Sequence, residues 1–171
     1  LSRHPPPNIH ARTTHPDNPS YRGTTPLMYC CQNTSSTDRD AMLPVVQELL
    51  RRGADPNAVR GDGWTSFSSA LSLKGMPPAH GLAAALAEVL DVSHIDSGNG
   101  WTPLHFACRY GRPELVLRLV QRGADVGAKE NKGFTPLDFL MKNRPTEAAS
   151  PAWAAAVAAL RRGGSGGSGA V

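Results

Sequence analysis

The stretch Gly100-Trp101-Thr102-Pro103-Leu104-His105-Phe106-Ala107 decides the fold of this chain. Its Thr-Pro pair is typical of a helix start, because the threonine side chain caps the first turn and proline is well tolerated at the first helical position. Leucine, phenylalanine and alanine then begin an apolar face. Pro113 starts a second helix with apolar residues at helical spacing, and Gly123 ends it. The stretch therefore predicts a pair of short helices.

The same phrase occurs four times, which indicates a repeat protein. The threonines are 40, 37 and 33 residues apart. Self-similarity at this period is the signature of a solenoid, in which each unit buries its apolar face only by stacking on its neighbours. Such a rod offers a long binding surface rather than a pocket with chemistry in it. The four copies are Thr25-Pro26-Leu27, Thr65-Ser66-Phe67, Thr102-Pro103-Leu104-His105 and Thr135-Pro136-Leu137-Asp138.

The third copy resembles the ankyrin repeat. It has the 33-residue step from Thr102 to Thr135, the sequence Gly123-Ala124-Asp125 at the end of its second helix, and the signature T-P-L-H-x-A. The resemblance implies an all-α fold. We expect an ankyrin-repeat α-solenoid of helix-turn-helix units joined by β-hairpin-like loops.

The resemblance divides the chain into three parts. An extended N-terminal arm is predicted over residues 1–21, an ankyrin repeat domain over 22–163, and a flexible Gly/Ser tail with the composition of a linker over 164–171. An alternative for part of the arm is the tail of an earlier repeat, because Pro7-Asn8-Ile9-His10-Ala11 is similar to Pro56-Asn57-Ala58. The four repeats are predicted at about 22–58, 59–95, 96–128 and 129–163.

Two of the four repeats are degenerate, and three lack the histidine of the family. Met28, Ser68 and Asp138 stand where the family has its histidine, so only His105 is predicted to make the family's side-chain bond to the turn. We therefore expect hydrophobic stacking to dominate over local hydrogen bonds in these repeats.

Extra residues lengthen three of the repeats at the same place, between the two helices. These polar or proline-containing stretches are predicted to be loops on one edge of the solenoid. Two interpretations stay open: a second recognition surface, or passive tolerance, since a longer surface loop costs little closure entropy. The stretches are Asn33–Ala41, Lys74–Gly81 and Asn143–Ser150.

The sequence lacks the common signatures of catalysis and ligand binding. It contains no glycine-rich phosphate loop, no H-E-x-x-H motif, and no histidines or cysteines paired at metal-ligand spacing. We therefore predict no enzyme activity, no cofactor and no metal. The net charge is +4, and no basic run is interleaved with aromatic residues, so no nucleic-acid binding is expected. The longest apolar run, 152–160, is too short for membrane insertion.

Three cysteines, Cys30, Cys31 and Cys108, lie on predicted helices where alanine would serve as well. They form no spaced pattern, which is typical of small buried hydrophobic residues rather than of disulfides or a zinc site. This usage predicts a reducing, intracellular compartment, cytoplasmic or nuclear.

Together these features predict a non-catalytic protein–protein interaction module, an adaptor or scaffold, whose partner is another protein. The alternatives are a structural subunit of a large multiprotein assembly and the substrate-recruiting part of a larger enzyme, such as a ubiquitin ligase. The ankyrin resemblance implies contact through the hairpin tips and the concave helix face. The residues implied are Asp62, Trp64, Asn99, Trp101, Arg109, Tyr110, Asn131, Lys132, Phe134 and Lys142.

Three aromatic residues, Trp64, Trp101 and Phe134, precede threonines about one repeat apart. They form either a ladder beside the groove or packing contacts within each hairpin. We expect Trp101, Arg109 and Tyr110 to be the centre of the partner site, because Trp, Tyr and Arg dominate binding energy when they are desolvated.

One candidate modification site follows from the same resemblance. Asn57 comes directly after Asp55-Pro56. It looks like the asparagine that a dioxygenase hydroxylates in many ankyrin repeats.

Overall fold

The computed structural model describes residues 8–14, 17–18, 21–32, 39–71, 80–96, 98–142 and 150–164. Within these residues the regular structure is helical, without a strand, which confirms the predicted all-α fold. A 3-10 helix at Arg39–Met42 leads directly into the second α-helix. The α-helices are α1 Pro26–Cys31, α2 Leu43–Arg51, α3 Ser66–Leu71, α4 His80–Val89, α5 Pro103–Arg109, α6 Pro113–Gln121, α7 Pro136–Lys142 and α8 Pro151–Gly164.

The helices pack in two rows. The first row consists of α1, α3, α5 and α7, and the second row of α2, α4, α6 and α8, with each helix in contact with the next in its row. Each first-row helix also packs against the second-row helix that follows it in the chain. The predicted solenoid of helix-turn-helix units is therefore confirmed.

The hydrophobic core lies between the two rows. Its largest fully buried side chains are mostly leucines, each of which contributes about 1.5–3 kcal/mol when it is removed from water. Successive units share this core, so the core is continuous along the rod. The first row contributes Leu27, Leu104 and Leu140, and the second row contributes Val46, Leu82, Leu86, Val116, Leu119 and Leu160.

Threonine and proline start first-row helices as the sequence predicts. Thr25 Oγ1 accepts a hydrogen bond from the N–H of Met28 at 3.3 Å, and Thr102 Oγ1 accepts one from His105 at 3.4 Å. Proline lies in the first turn of both α1 and α5. These caps satisfy N–H groups that a helix leaves unpaired at its start.

The second helix of a repeat is followed by a tight turn built on aspartate. Asp55, Asp91 and Asp125 each accept a hydrogen bond on the carboxylate from the backbone N–H two residues later, at 2.9 Å. A short side chain that bonds its own backbone in this way favours a turn over further helix.

A hairpin-like loop then leads back to the next first-row helix. Its base is closed by one backbone hydrogen bond, in which an N–H group donates to the carbonyl of the residue just before the capping threonine. The three closures are Arg60 to Trp64 at 2.9 Å, Asp96 to Trp101 at 2.8 Å and Glu130 to Phe134 at 3.1 Å.

Residues 8–14 make the hydrogen bonds of such a repeat end. The N–H of His10 donates to Asn8 Oδ1 at 3.0 Å, as in the aspartate turns. The N–H of Thr13 donates to the carbonyl of Thr24 at 3.1 Å, as in the hairpin closures. Of the two interpretations of this segment, the geometry favours the tail of an earlier repeat. The boundaries of arm, repeats and tail stay predictions.

The inserted stretches fall between paired helices, and 33–38, 72–79 and 143–149 lie outside the described residues. The predicted ends of two of them were wrong. Ala41 belongs to the 3-10 helix, a turn that commonly precedes an α-helix, and Gly81 belongs to α4. The N–H of Gly81 donates a hydrogen bond to a side chain of the first insertion.

That side chain is Asp40, which joins the first insertion to the second repeat. Its carboxylate accepts hydrogen bonds from the N–H groups of Gly81 at 2.9 Å and Leu82 at 3.0 Å. A carboxylate at a helix start satisfies unpaired N–H groups and complements the helix dipole. The end of the first insertion therefore stabilises α4.

Gly63 allows two neighbouring hairpins to approach closely. It has a φ of +88°, and a Cβ at this position would overlap the carboxylate of Asp96. That carboxylate also accepts N–H groups from Gly98 and Asn99 and is therefore not free to move away. Gly53 has the same φ of +88°, and nothing lies within 4 Å of a Cβ built there. A substitution of Gly53 therefore measures the cost of the left-handed backbone alone.

We expect Gly63→Ala to destabilise the protein more than Gly53→Ala. The left-handed backbone costs each variant about 1–2 kcal/mol. Gly63→Ala costs at least about 1 kcal/mol more, because it displaces the Asp96 carboxylate from its hydrogen bonds. Urea unfolding of both variants measures the difference. Equal losses would mean that Asp96 moves aside at no cost.

Candidate protein-binding surface

The tips of the hairpins stack along one edge of the solenoid. The N–H of Gly61 donates to the carbonyl of Arg22 at 2.8 Å, and the N–H of Asn131 donates to the carbonyl of Asn99 at 3.0 Å. The Asn131 side-chain amide also donates to the carbonyl of Gly98 at 3.2 Å. Hydrogen bonds therefore join the first two tips and the last two, and between these pairs Gly63 lies against Asp96.

Arg60 is the buried centre of the first of these tips. Its guanidinium carbon lies 4.7 Å from the ring centre of Tyr21 and 5.7 Å from that of Trp64. Its Nε donates to Asp62 Oδ1 at 2.8 Å, and Asp62 also accepts the N–H of Trp64 at 3.3 Å. Two predicted contact residues, Asp62 and Trp64, therefore position this arginine. Sequence reasoning missed Tyr21, which it had assigned to the arm.

In the next two tips the corresponding residue is a buried carboxylate. Asp96 accepts the N–H groups of Gly98 at 3.0 Å and Asn99 at 3.2 Å, and Glu130 accepts the N–H of Lys132 at 2.8 Å. These anchors were also missing from the predicted site. The signal that identifies them is a charged residue shortly before the glycine of each hairpin. They fix the backbone that presents Asn99 and Lys132 to solvent.

The aromatic residue of the third repeat packs inward. Trp101 is half-buried, and its ring meets Phe106 and Phe139 edge to face, with centroids 5.0 Å and 4.8 Å apart. Phe134 meets the same Phe139 at 6.2 Å. Trp101 and Phe134 are therefore bridged by a core residue, which of the two alternatives favours packing over a ladder beside the groove.

Phe134, just before the capping threonine of the fourth repeat, is 37% exposed. The ammonium of Lys142 lies 3.7 Å from its ring centre, within the range of a cation–π contact. Arg109, at the end of α5, is exposed, and Tyr110 directly after it is half-buried against the core. Of the ten predicted contact residues, six are exposed: Asn99, Arg109, Asn131, Lys132, Phe134 and Lys142.

His105 links the third repeat to the hairpin that follows it. Its Nδ1 accepts the N–H of Thr102 at 3.1 Å, so the proton is on Nε2, which donates to the carbonyl of Phe134 at 3.2 Å. The imidazole is fully buried, and burial lowers its pKa below the ordinary value for histidine. The neutral ring thus supports the loop that carries Phe134.

Two of the repeats without the histidine still have a side-chain acceptor for the N–H of the capping threonine. Ser68 Oγ accepts the N–H of Thr65 at 2.9 Å, and Asp138 Oδ2 accepts that of Thr135 at 2.8 Å. The cap needs only an acceptor three residues after the threonine, and serine or aspartate supplies one as well as histidine does. Hydrogen bonding from Thr135 holds the pKa of Asp138 below its ordinary value.

The hairpins, the two helix rows and the Thr-Pro caps have counterparts in known proteins. A model of the ankyrin repeat matches residues 22–60, and a model of multiple ankyrin repeats matches residues 86–140. The chain belongs to the ankyrin repeat family. Ankyrin repeats are modules for protein–protein interaction, and their stacked hairpins and helices form extended binding surfaces.

Several ankyrin-repeat proteins are similar to this chain over short segments. Inhibitor of Bruton tyrosine kinase from Xenopus laevis is 38% identical over 56 residues, which is 33% of this chain and 4% of that protein. Ankyrin repeat and SAM domain-containing protein 6 from Mus musculus is 35% identical over 118 residues, 61% of this chain and 13% of that protein. Ankyrin repeat domain-containing protein 9 from Mus musculus is 41% identical over 51 residues, 30% of this chain and 16% of that protein. The chain thus spans a small part of the length of these curated relatives.

The thiol groups of this ankyrin-repeat chain are not activated for chemistry. Cys31 and Cys108 are fully buried, and burial raises the pKa of the Cys108 thiol far above its ordinary value. Burial also raises the pKa of the half-buried Cys30. In the described part of the chain, no three His, Cys, Asp or Glu side chains are grouped to hold a metal ion, and no helix is long and apolar enough to cross a membrane.

Asn57, the candidate modification site, already has a structural contact. Its Oδ1 accepts the N–H of Asp91, in the next repeat, at 2.7 Å. The asparagine therefore connects two repeat ends. Its hydroxylation stays a prediction, which the mass of the peptide from cells would test.

We expect His105→Gln to reduce stability by about 1–3 kcal/mol at pH 7.5, because buried hydrogen bonds are lost. It should also weaken the pH dependence. Since burial lowers the pKa of His105 in the folded state, the unfolded chain binds the proton first as pH falls below about 6.5, and the wild type loses stability there. Chemical unfolding at pH 7.5 and 5.5 measures both effects.

The exposed His80, at the start of α4, provides the control. His80→Gln should retain the wild-type stability at pH 7.5. The same pH dependence in His105→Gln and wild type would contradict the assignment of a neutral, buried imidazole.

Proposed function

We propose that this chain is a non-catalytic ankyrin-repeat module that binds another protein through its hairpin tips and the concave face of its first helix row. The observation that supports this proposal is the set of exposed side chains on stacked, hydrogen-bonded tips. A binding residue is most effective on a rigid support, because little conformational entropy is lost when the partner docks. The backbone bonds between Asn99 and Asn131 and the His105 bond to Phe134 supply that support.

The charges of this face define the chemistry of its partner. Arg109, Lys132 and Lys142 are exposed, and of the carboxylates Glu130 and Asp138 only Asp138 is exposed. Among these five side chains, three exposed positive charges stand against one exposed negative charge, so the exposed surplus is positive. A partner with a negatively charged surface is complementary to it.

The contact centre lies around Phe134 and Lys142 rather than around Trp101. Trp101 is held by two core rings, so its replacement would disturb the fold as well as binding. Phe134 presents an accessible ring with an ammonium above it. Phenylalanine is enriched in the cores of protein interfaces, and an exposed ammonium contributes charge complementarity to a negatively charged partner.

We further propose that the chain functions in a reducing compartment, the cytoplasm or the nucleus. All three cysteines are free thiols, and two of them are buried in the core as small apolar residues. Proteins that function in oxidising compartments use cysteines for disulfides instead.

We expect the charge reversal Arg109→Glu/Lys142→Glu to weaken partner binding at least tenfold without unfolding the protein. Two like-charge contacts replace two attractive ones, and each tenfold loss in affinity corresponds to about 1.4 kcal/mol. The measurement is affinity purification of the full natural protein from cells with quantitative mass spectrometry. Titration of the most enriched protein against the purified chain then determines the dissociation constants.

The matched control is Arg51→Glu/Arg161→Glu, the same charge change at exposed residues of the second helix row. It should recover the partner as well as the wild type does. If both double variants retain the partner equally, the first-row face is not the binding surface.

A further inference from the structure

An open groove runs along α2 at the N-terminal end of the described solenoid. Its volume is about 400 Å³. Val45, on its wall, is 45% exposed, whereas the next residue, Val46, is fully buried. The lining residues are Asn8, Ile9, Pro26, Pro44, Val45, Glu48, Leu49 and Arg52.

Helix α2 matches helix α6 residue by residue at an offset of 70. α2 spans Leu43–Arg51 and α6 spans Pro113–Gln121, nine residues each. The bonds that end the two helices also coincide: Ala54 N–H to Leu49 in one, and Ala124 N–H to Leu119 in the other, at 2.9 and 3.0 Å. The groove positions on α2 can therefore be compared with the same positions on α6, which packs on the preceding second-row helix, α4. Val45, Glu48, Leu49 and Arg52 correspond to Leu115, Arg118, Leu119 and Arg122.

On α6 this face is the one that stacks on the preceding repeat. Arg118 is paired with Glu88 of α4, and Arg122 Nη1 donates to the carbonyl of Ala87, also on α4, at 2.6 Å. Leu115 is only 6% exposed, and Leu119 is fully buried. The groove on α2 is thus the face that receives a preceding second-row helix. Val45 is exposed because the described residues place no helix against it.

The segment next to the groove is built as the end of a repeat. Asn8 and Thr13 occupy the places of Asp55 and Arg60: Asn8 accepts the N–H two residues later, and Thr13 closes on the residue before the capping threonine. A second closing bond also recurs, from Gly23 N–H to Thr13 and from Gly63 N–H to Arg60, both at 2.9 Å. In the other repeats this arrangement follows directly after a second-row helix.

We propose that the α2 groove is the docking site of a further ankyrin-type helix pair, joined through the chain on the N-terminal side of Asn8. Two separate observations agree on this occupant. The register of α2 places Val45 and Leu49 where α6 faces a preceding second-row helix, and the turn at Asn8 has the hydrogen bonds of the turns that follow such helices. Pro5, Pro6 and Pro7 stand at the places of Arg52, Gly53 and Ala54 and have no N–H groups for the bonds that end α2, so the proposed helix ends before Pro5. Asn8 and Ile9 themselves line the groove, so the connecting chain already reaches it. The proposal is independent of the partner surface proposed above.

Burial of position 45 is the direct test, with Val89 as its matched control. Val89, on α4, is 48% exposed, close to the 45% of Val45, and does not line the groove. Val45→Cys and Val89→Cys are each prepared in the 171-residue chain and in the full natural protein. Iodoacetamide labelling is followed by peptide mass spectrometry, which separates the new thiol from Cys30.

In the 171-residue chain we expect the two introduced thiols to react at rates within about threefold of each other. In the full natural protein, purified alone, Val45→Cys should react at least tenfold more slowly than Val89→Cys. A helix-pair sequence encoded on the N-terminal side of residue 1 should accompany this protection.

Three outcomes would overturn the proposal. Equal labelling of both positions in the full protein would show that nothing covers the groove. Protection of position 45 in the 171-residue chain that increases with protein concentration would show that a second copy occupies it. Protection that appears only when a cell extract is added would assign the groove to a separate partner.

Discussion

Stacking of one helix pair on the next is the constraint on which the rest of the structure depends. The first-row helix α1 has six residues and its partner α2 has nine, too few for a helix that is stable alone in water. Each pair becomes stable because the next pair covers its apolar side. The register of α2 and α6 illustrates this: Leu115 is buried on α6, whose Arg118 pairs with Glu88 of α4, whereas its counterpart Val45 is exposed on the open groove.

The same stacking separates stability from recognition. Leucines between the helix rows and buried polar anchors at the tips maintain the rod, and the side chains beyond them can differ from repeat to repeat. Arg60, Asp96 and Glu130 show how freely the anchor itself varies. An arginine between two rings and a carboxylate that accepts N–H groups both hold a hairpin closed. The side chains exposed at the tips can therefore vary without cost to the core.

Local signals were the part of the fold that the sequence predicted well. The Thr-Pro helix starts, the position of the insertions and the helix pairs all depend on residues within a few positions of one another. The capping bonds at Ser68 and Asp138 were underestimated, because a family signature was read as a required histidine where the geometry requires only an acceptor. Contacts between repeats were not predictable in the same way. Trp101 packs on Phe139, and Asp40 caps α4, across intervals that no local pattern describes.

The sequence by itself determined that this chain is a stack of ankyrin-type helix pairs, because capping, periodicity and turn chemistry act over short distances along the chain. Only the tertiary structure decided which side chains make contacts within the stack and which stay exposed. Asp62 and Trp64 hold Arg60, whereas Phe134 and Lys142 remain exposed at the surface. Burial depends on what neighbouring repeats place against a residue, and equivalent positions such as Val45 and Leu115 therefore have different environments.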